Sequence, residues 1–265
     1  MRRALALLAL VGAGAPVLAA CGPDTVRVSY RPPVGAQYRY QVRAHLVTTT
    51  VLGDAPAERS VDDAVLETDD TVLASGPDGV RVRVRLRRPG SPERTYVVRL
   101  DRAAQLSGVE AVEGLPPSVL GPEALPEILP GAPGAPPNRR LAPGQRWSID
   151  TRPSLVGAEA QRLRGSGQLI ELRLLEGRKV ATTRSNTVLP LRTSAQVRGG
   201  TLALDGTEAT ETTATRALAD GAVEESTATT RGSFQVSLVP PSQEAGAPVT
   251  GTLSLEVRAE THRLR

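Results

Sequence analysis

The chain has 265 residues, 32 basic against 28 acidic, with one Cys and two His. A lone Cys excludes an internal disulfide framework and a multi-Cys zinc or iron–sulfur centre, and two His make a histidine-rich metal site a poor reading. A net charge of +4 and 2% aromatics supply neither the basic surface nor the stacking platform that nucleic acid needs. No nucleic-acid partner, metal or cofactor is expected.

Arg2 and Arg3 precede an apolar run, Ala4 to Ala20, that closes on Leu18-Ala19-Ala20-Cys21. The run is too short and too rich in small residues for a spanning helix, which needs about 20 strongly apolar residues. A basic start, an apolar middle and a small-residue end are the parts of a secretory signal. Small side chains at Ala19 and Ala20 suit a peptidase cleft, and the thiol of Cys21 is the group that an acyl donor would modify. The alternative is a plain secretory signal followed by a chance Cys.

These residues resemble the lipobox of bacterial lipoproteins. The resemblance implies that residues 1–20 are removed, that Cys21 carries a diacylglyceryl group, and that the membrane is a partner through that lipid. Attached acyl chains contribute about 0.8 kcal/mol per buried methylene, so two or three of them hold a protein firmly. Gly22, not Asp, follows Cys21. In a double-membrane bacterium that favours the periplasmic face of the outer membrane; otherwise the outer face of the cell membrane is expected. Lys179 is the sole Lys among the basic residues, which suggests a GC-rich genome.

Past residue 21 the hydropathy pattern has period two, the mark of half-buried strands. Tyr38, Tyr40, Val42, Ala44 and Leu46 alternate with polar neighbours. So do Val80, Val82, Val84 and Leu86, then Tyr96, Val98 and Leu100. In the second half the same holds for Ile170, Leu172 and Leu174, and for Leu253, Leu255 and Val257. Pro77-Asp78-Gly79 and Asp220-Gly221 read as turns. The second divides two Thr-rich runs, whose β-branched side chains suit a solvated strand face. Short helices are expected only at Ala103–Leu106 and Pro117–Leu129. The fold class is mainly β: antiparallel curved sheets, a half-barrel or a sandwich.

Leu115 to Pro143 carries Pro116, Pro117, Pro122, Pro126, Pro130, Pro133, Pro136, Pro137 and Pro143. Proline cannot supply ladder N–H groups, so 115–143 reads as a linker or crossover between a first β-rich half, 21–114, and a second, 144–265. The halves open alike. Gly35-Ala36-Gln37-Tyr38 follows Pro33, and Gly144-Gln145-Arg146-Trp147 follows Pro143. A Gly-x-x-aromatic turn leading into a strand, met twice, suggests a duplicated unit. Trp147 either packs under its turn or stacks on a ligand.

No residue set assembles into a catalytic site, so the chain is not read as an enzyme. His45 lies on the polar side of its strand and His262 near the C-terminus; neither sits by a nucleophile elbow. The pairs Asp62-Asp63, Asp69-Asp70 and Glu224-Glu225 are strand neighbours, which point to opposite faces. The strongest charge feature is the stripe Arg81, Arg83, Arg85 and Arg87. It is read either as a ladder paired with Glu67, Asp69 and Asp70 on the neighbouring strand, or as a contact for anionic head groups or a charged envelope polymer.

The layout, a lipobox followed by β-rich halves, is similar to that of uncharacterised bacterial lipoproteins, and that similarity brings no activity with it. A membrane-anchored envelope lipoprotein, structural or partner-binding, is expected. The alternative is a carrier of a lipid or lipoprotein. Known envelope carriers are similar in size and in curving an antiparallel sheet around an apolar cavity.

Overall fold

The computed structural model describes residues 25–102, 104, 106–112, 136–152, 158–160, 162–197, 200–240 and 247–265. They form β1 (Gln37–Leu52), β2 (Glu58–Gly76), β3 (Gly79–Arg87), β4 (Arg94–Leu100), β5 (Leu106–Val112), β6 (Arg146–Thr151), β7 (Ala158–Ala160), β8 (Leu163–Leu175), β9 (Arg178–Val197), β10 (Gly200–Ala217), β11 (Val223–Val239) and β12 (Val249–Leu264). All pairings are antiparallel, in one unclosed curved sheet ordered β5-β4-β3-β2-β1-β12-β11-β10-β9-β8-β6, with β7 beside β9. This is the half-barrel form of the expected fold, since a sandwich would need a second sheet.

The order is a meander cut and rejoined. Each half zigzags in chain order, and the halves meet where β1 pairs with β12, from Arg39 opposite Leu264 to Leu52 opposite Gly251. The connection from β5 to β6 therefore joins the two outer edges of the sheet. Most of it lies outside the described residues, as does the expected helix at Pro117–Leu129. Its last part is not a free linker. Leu141 is fully buried, and its N–H and C=O both bond to Val26. Of the other expected helix, Ala103–Leu106, the described residues are not helical: Ala104 has φ of 56°, and Leu106 already begins β5.

Alternation decides which face is inside. Tyr38, Tyr40 and Val42 of β1 share a face with Leu66 and Val72 of β2, Val82 and Val84 of β3, and Tyr96 and Val98 of β4. With Tyr30 and Val223 they make one buried cluster. Trp147, Ile149, Leu163, Leu169 and Ala181 make a second cluster with Val28 and Leu141. Both lie at the end of the sheet where β1 begins and β12 ends, called the base below.

The two halves repeat each other bond for bond at the base. Gly35 N–H donates to Val72 O, Val72 N–H to Ala36 O, and Ala36 N–H to Pro33 O, at 2.9, 2.9 and 3.1 Å. Gly144 N–H donates to Leu169 O, Leu169 N–H to Gln145 O, and Gln145 N–H to Ala142 O, at 2.7, 3.0 and 3.0 Å. Gly35 and Gly144 have φ of 82° and 85°, a conformation that disfavours any residue with a Cβ. Each motif is followed by a register shift at the matching place, between Val72 and Ala74 and between Leu169 and Glu171. The second shift alters a sequence expectation. The bulge leaves Ile170 exposed, whereas Leu169 is buried and Leu172 is packed against the second cluster.

The two Thr-rich runs divide between water and core: Thr207 and Thr227 are exposed as expected, whereas Thr212 and Thr215 are buried, as are Thr183 and Thr187 of β9. Neighbouring oxygens take up part of the cost: Thr183 Oγ1 donates to Ala214 O at 3.3 Å, and Thr182 Oγ1 and Thr215 Oγ1 stand 3.4 Å apart.

Trp147 packs under its turn, over Gly167 of β8. A Cβ at 167 would lie 2.2 Å from the ring atoms Cε2 and Cζ2. Gly167→Ala should therefore cost about 1–3 kcal/mol through overpacking and red-shift the emission of Trp147. Urea unfolding read by fluorescence checks both; an unchanged midpoint would place the ring elsewhere.

Candidate functional site

The base is closed by the N-terminal segment 25–31, which runs across it as a strap. Val26 N–H bonds to Leu141 O at 2.9 Å on the β6 side, and Tyr30 N–H bonds to Arg102 O at 2.8 Å beyond β4. Val28 and Tyr30 point in, one into each cluster, while Arg27 and Arg31 point out. The turn between β10 and β11 is held against the strap. Arg31 N–H donates to Asp220 O at 2.6 Å, and Tyr38 Oη donates to Asp220 Oδ2 at 2.8 Å.

Beneath the strap lies a buried polar group. Asp70 is 4% exposed and its Oδ1 has no hydrogen-bond partner among the described residues. Burial pushes its carboxyl up to about 8; Thr68 beside it pulls the other way, and the charge of Asp69 adds to the rise. Arg216 is 2% exposed. Its Nη1 reaches Gly221 O at 3.5 Å, and its Nε and Nη2 have no partner among the described residues. Burial lowers its pKa, against the opposing pull of Tyr40, Asp101 and Tyr30. Burial also raises the phenols of Tyr30, Tyr38 and Tyr40.

Beside this group an open cleft of about 560 Å³ is lined by Gln37, Arg39, Glu176, Arg178, Arg263 and Arg265 among others. Glu224 anchors it. The carboxylate is 5% exposed and accepts from Arg178 Nη1 and Nη2 at 2.8 and 2.9 Å and from Arg263 Nη1 at 2.8 Å. Arg263 also stacks over the Tyr38 ring, 4.7 Å from its centroid. Arg265 pairs with Glu176. The cleft is thus built of ion pairs whose charges already answer one another.

The Arg stripe lies on the outer face, where the alternation places it. Arg87 pairs with Asp69 at 2.9 Å and with Glu67 at 3.4 Å, and Arg85 with Glu93 at 2.8 Å. Arg81 and Arg99 share Glu110, whose pKa is lowered by its hydrogen bonds from Arg99 and Arg81. Arg83 has no hydrogen bond or ion pair among the described residues. Glu67 and Asp69 are therefore the ladder acids expected, but Asp70 is not: it faces inward and is buried. The acidic pairs do diverge. Asp62 meets Arg88 and Asp63 meets His45; Glu224 meets Arg178 and Arg263, and Glu225 meets Arg173.

Above the base the inner face continues as an aliphatic band. Leu46 stands opposite Val257, Thr48 opposite Leu255, and Thr50 opposite Leu253. Phe234 and Val236 follow on β11, Leu202 and Leu204 on β10, and Leu189 and Leu191 on β9. Phe234, Val236 and Leu191 are buried, while Leu46, Leu253, Leu255 and Val257 are half-buried. Glu208 shares this face, opposite Gly232 and Leu189, and burial raises its pKa.

His45 bonds Asp63 on the exposed side of β1, with Nδ1 and Oδ1 2.7 Å apart, and His262 is exposed opposite Gln41 and Glu225. Among the described residues no three His, Cys, Asp or Glu side chains form a group that could hold a metal ion. Leu18, Ala19, Ala20 and Cys21 lie outside the described residues. Compared with known proteins, the chain matches no family model and no curated sequence.

Asp70 gives the fold a pH dependence of stated sign. Its folded pKa of about 8 lies above its ordinary value of 3.8, so the folded state holds a proton that the unfolded state releases. Stability is fully present below pH 4 and falls as pH rises toward 8. Asp70→Asn should remove that slope and make the protein more stable than wild type at pH 8 by roughly a few kcal/mol. Urea unfolding of both proteins from pH 4 to 9 measures it; parallel pH curves would refute the buried carboxyl.

Proposed function

We propose that this chain is a bacterial envelope lipoprotein, cleaved before Cys21 and held to the membrane by lipid on that thiol. Its folded part is a non-catalytic binding scaffold. One observation carries the reading. The sequence Leu18-Ala19-Ala20-Cys21 leads almost at once into the fold, since Val26 is already paired with Leu141. At about 3.5 Å per extended residue, Thr25 stands at most roughly 14 Å from Cys21. A lipid on Cys21 would hold the base against the bilayer and point the open inner face away from it.

The inner face is the binding surface in this proposal. Its aliphatic band supports an apolar partner, and the open cleft at the base is lined mainly by charged side chains, unlike a cavity for acyl chains. The half-buried Leu253, Leu255 and Val257 also favour a second reading, the carrier of a lipid within the curve of the sheet. Neither reading needs a cofactor, and both place the protein in the cell envelope.

Labelled palmitate fed to a bacterial host expressing the full chain tests the anchor. The mature protein should take up label and sediment with membranes, and Cys21→Ala should do neither. Label retained by Cys21→Ala, or none in the wild type, would overturn the reading. Native mass spectrometry of residues 22–265 then separates partner binding, which predicts the bare mass, from a carrier, which predicts an added lipid mass.

A further inference from the structure

We propose that the base of the sheet is itself a membrane-docking surface, built to meet anionic phospholipid head groups. Which membrane it meets rests on the lipid-anchor reading; the chemistry of the surface stands apart from it.

Five arginines around the strap, Arg27, Arg31, Arg139, Arg140 and Arg146, are exposed. Their hydrogen bonds go to neutral oxygens. Arg31 reaches Ser29 Oγ and Asn138 Oδ1, both at 3.2 Å; Arg139 reaches the carbonyls of Arg146 and Arg140 at 3.2 and 3.5 Å; Arg140 reaches Thr25 O at 3.3 Å. Among the described residues none of the five has a carboxylate within ion-pair distance. On the outer face Arg81, Arg85, Arg87 and Arg99 have acids, whereas Arg43 and Arg83, on separate strands, have none among the described residues. Three acids at the base are already engaged, Glu224 with Arg178 and Arg263, Glu176 with Arg265, and Asp220 with Tyr38, while Asp78 stands exposed in the turn from β2 to β3. The contacts also bind these arginines into one patch, because Arg140 grips the strap at Thr25 and Arg31 grips the segment before β6 at Asn138.

Apolar side chains project from the same end. Val34, in the turn Pro33–Gly35, is 64% exposed, and Leu174, beside the turn into β9, is 66% exposed; no other large apolar residue among those described is as open. Guanidinium groups without carboxylate partners, at the same end of the sheet as projecting aliphatic side chains, match the boundary between phosphate groups and acyl chains. Surface attraction falls off over a Debye length, about 10 Å at 0.1 M salt. A short tether from Cys21 would keep the patch near that range, where each basic side chain strengthens attachment severalfold.

The test uses residues 22–265 without lipid, so a failure of the anchor reading cannot decide it. Sedimentation is measured with vesicles of phosphatidylcholine alone and with one quarter phosphatidylglycerol. Binding to the anionic vesicles is expected to be at least about tenfold stronger at 20 mM salt and to be largely lost at 300 mM. Arg27→Gln with Arg139→Gln and Arg140→Gln should abolish the difference. Arg81→Gln with Arg83→Gln and Arg85→Gln should preserve it, with unchanged circular dichroism in both variants. Equal binding to the two vesicles overturns the proposal, and so does a loss confined to the β3 variant, which would move the contact to the outer face.

Discussion

A single curved sheet has a convex face for water and a concave face that nothing in the sheet itself can cover. Stable domains normally solve this by packing a second layer. Here residues 25–31 take that role at the base. Val28 enters one cluster and Tyr30 the other, so a short stretch of chain links the two flanks across the gap that the sheet leaves open. Other contacts at the base depend on it. The turn at Asp220 and Gly221 is held by Arg31 and Tyr38, and a Cβ at Gly221 would lie 2.2 Å from Ser29 O. With the β1–β12 seam, the strap makes one body from two similar halves.

That closure has a cost. Asp70 and Arg216 sit beneath the strap with polar atoms unmatched among the described residues, and Tyr96 Oη and Trp147 Nε1 are likewise buried without partners among them. An unpaired buried polar group typically costs about 1–3 kcal/mol. The base is therefore less settled than its apolar clusters suggest. Burial accounts for the raised pKa of Asp70, since a neutral carboxyl loses less on leaving water than a charged one.

Much of the fold was legible because period two survives in β1, β3, β4 and β12, where one face is apolar and the other charged. The Gly-x-x-aromatic repeat was legible from four residues, and its equivalence extends to the bonds around Val72 and Leu169. What was not legible depended on partners distant in sequence. The bulge at Ile170 inverts the alternation in β8, and no local signal announces it. The Thr-rich run of β10 looks solvated throughout, yet Thr207 is exposed while Thr212 falls on the inner face and is buried. Asp70 looks like its neighbour Asp69, yet pleating sends one inward and the other to Arg39 and Arg87. The Arg stripe was conspicuous in sequence but is largely neutralised by acids. The arginines around the strap were inconspicuous because they come from two segments, one before β1 and one running into β6, that only the fold brings together.

The account holds that the strap and the β1–β12 seam make the two halves one folding unit. Intrinsic probes separate the halves cleanly: Trp147 is the sole Trp and lies in the second, while Tyr30, Tyr38, Tyr40 and Tyr96 lie with the first cluster. Equilibrium unfolding of residues 22–265, followed at once by Trp emission and by the near-ultraviolet signal of the tyrosines, should give coincident transitions. Two separated midpoints would contradict the account and leave the halves as independent domains.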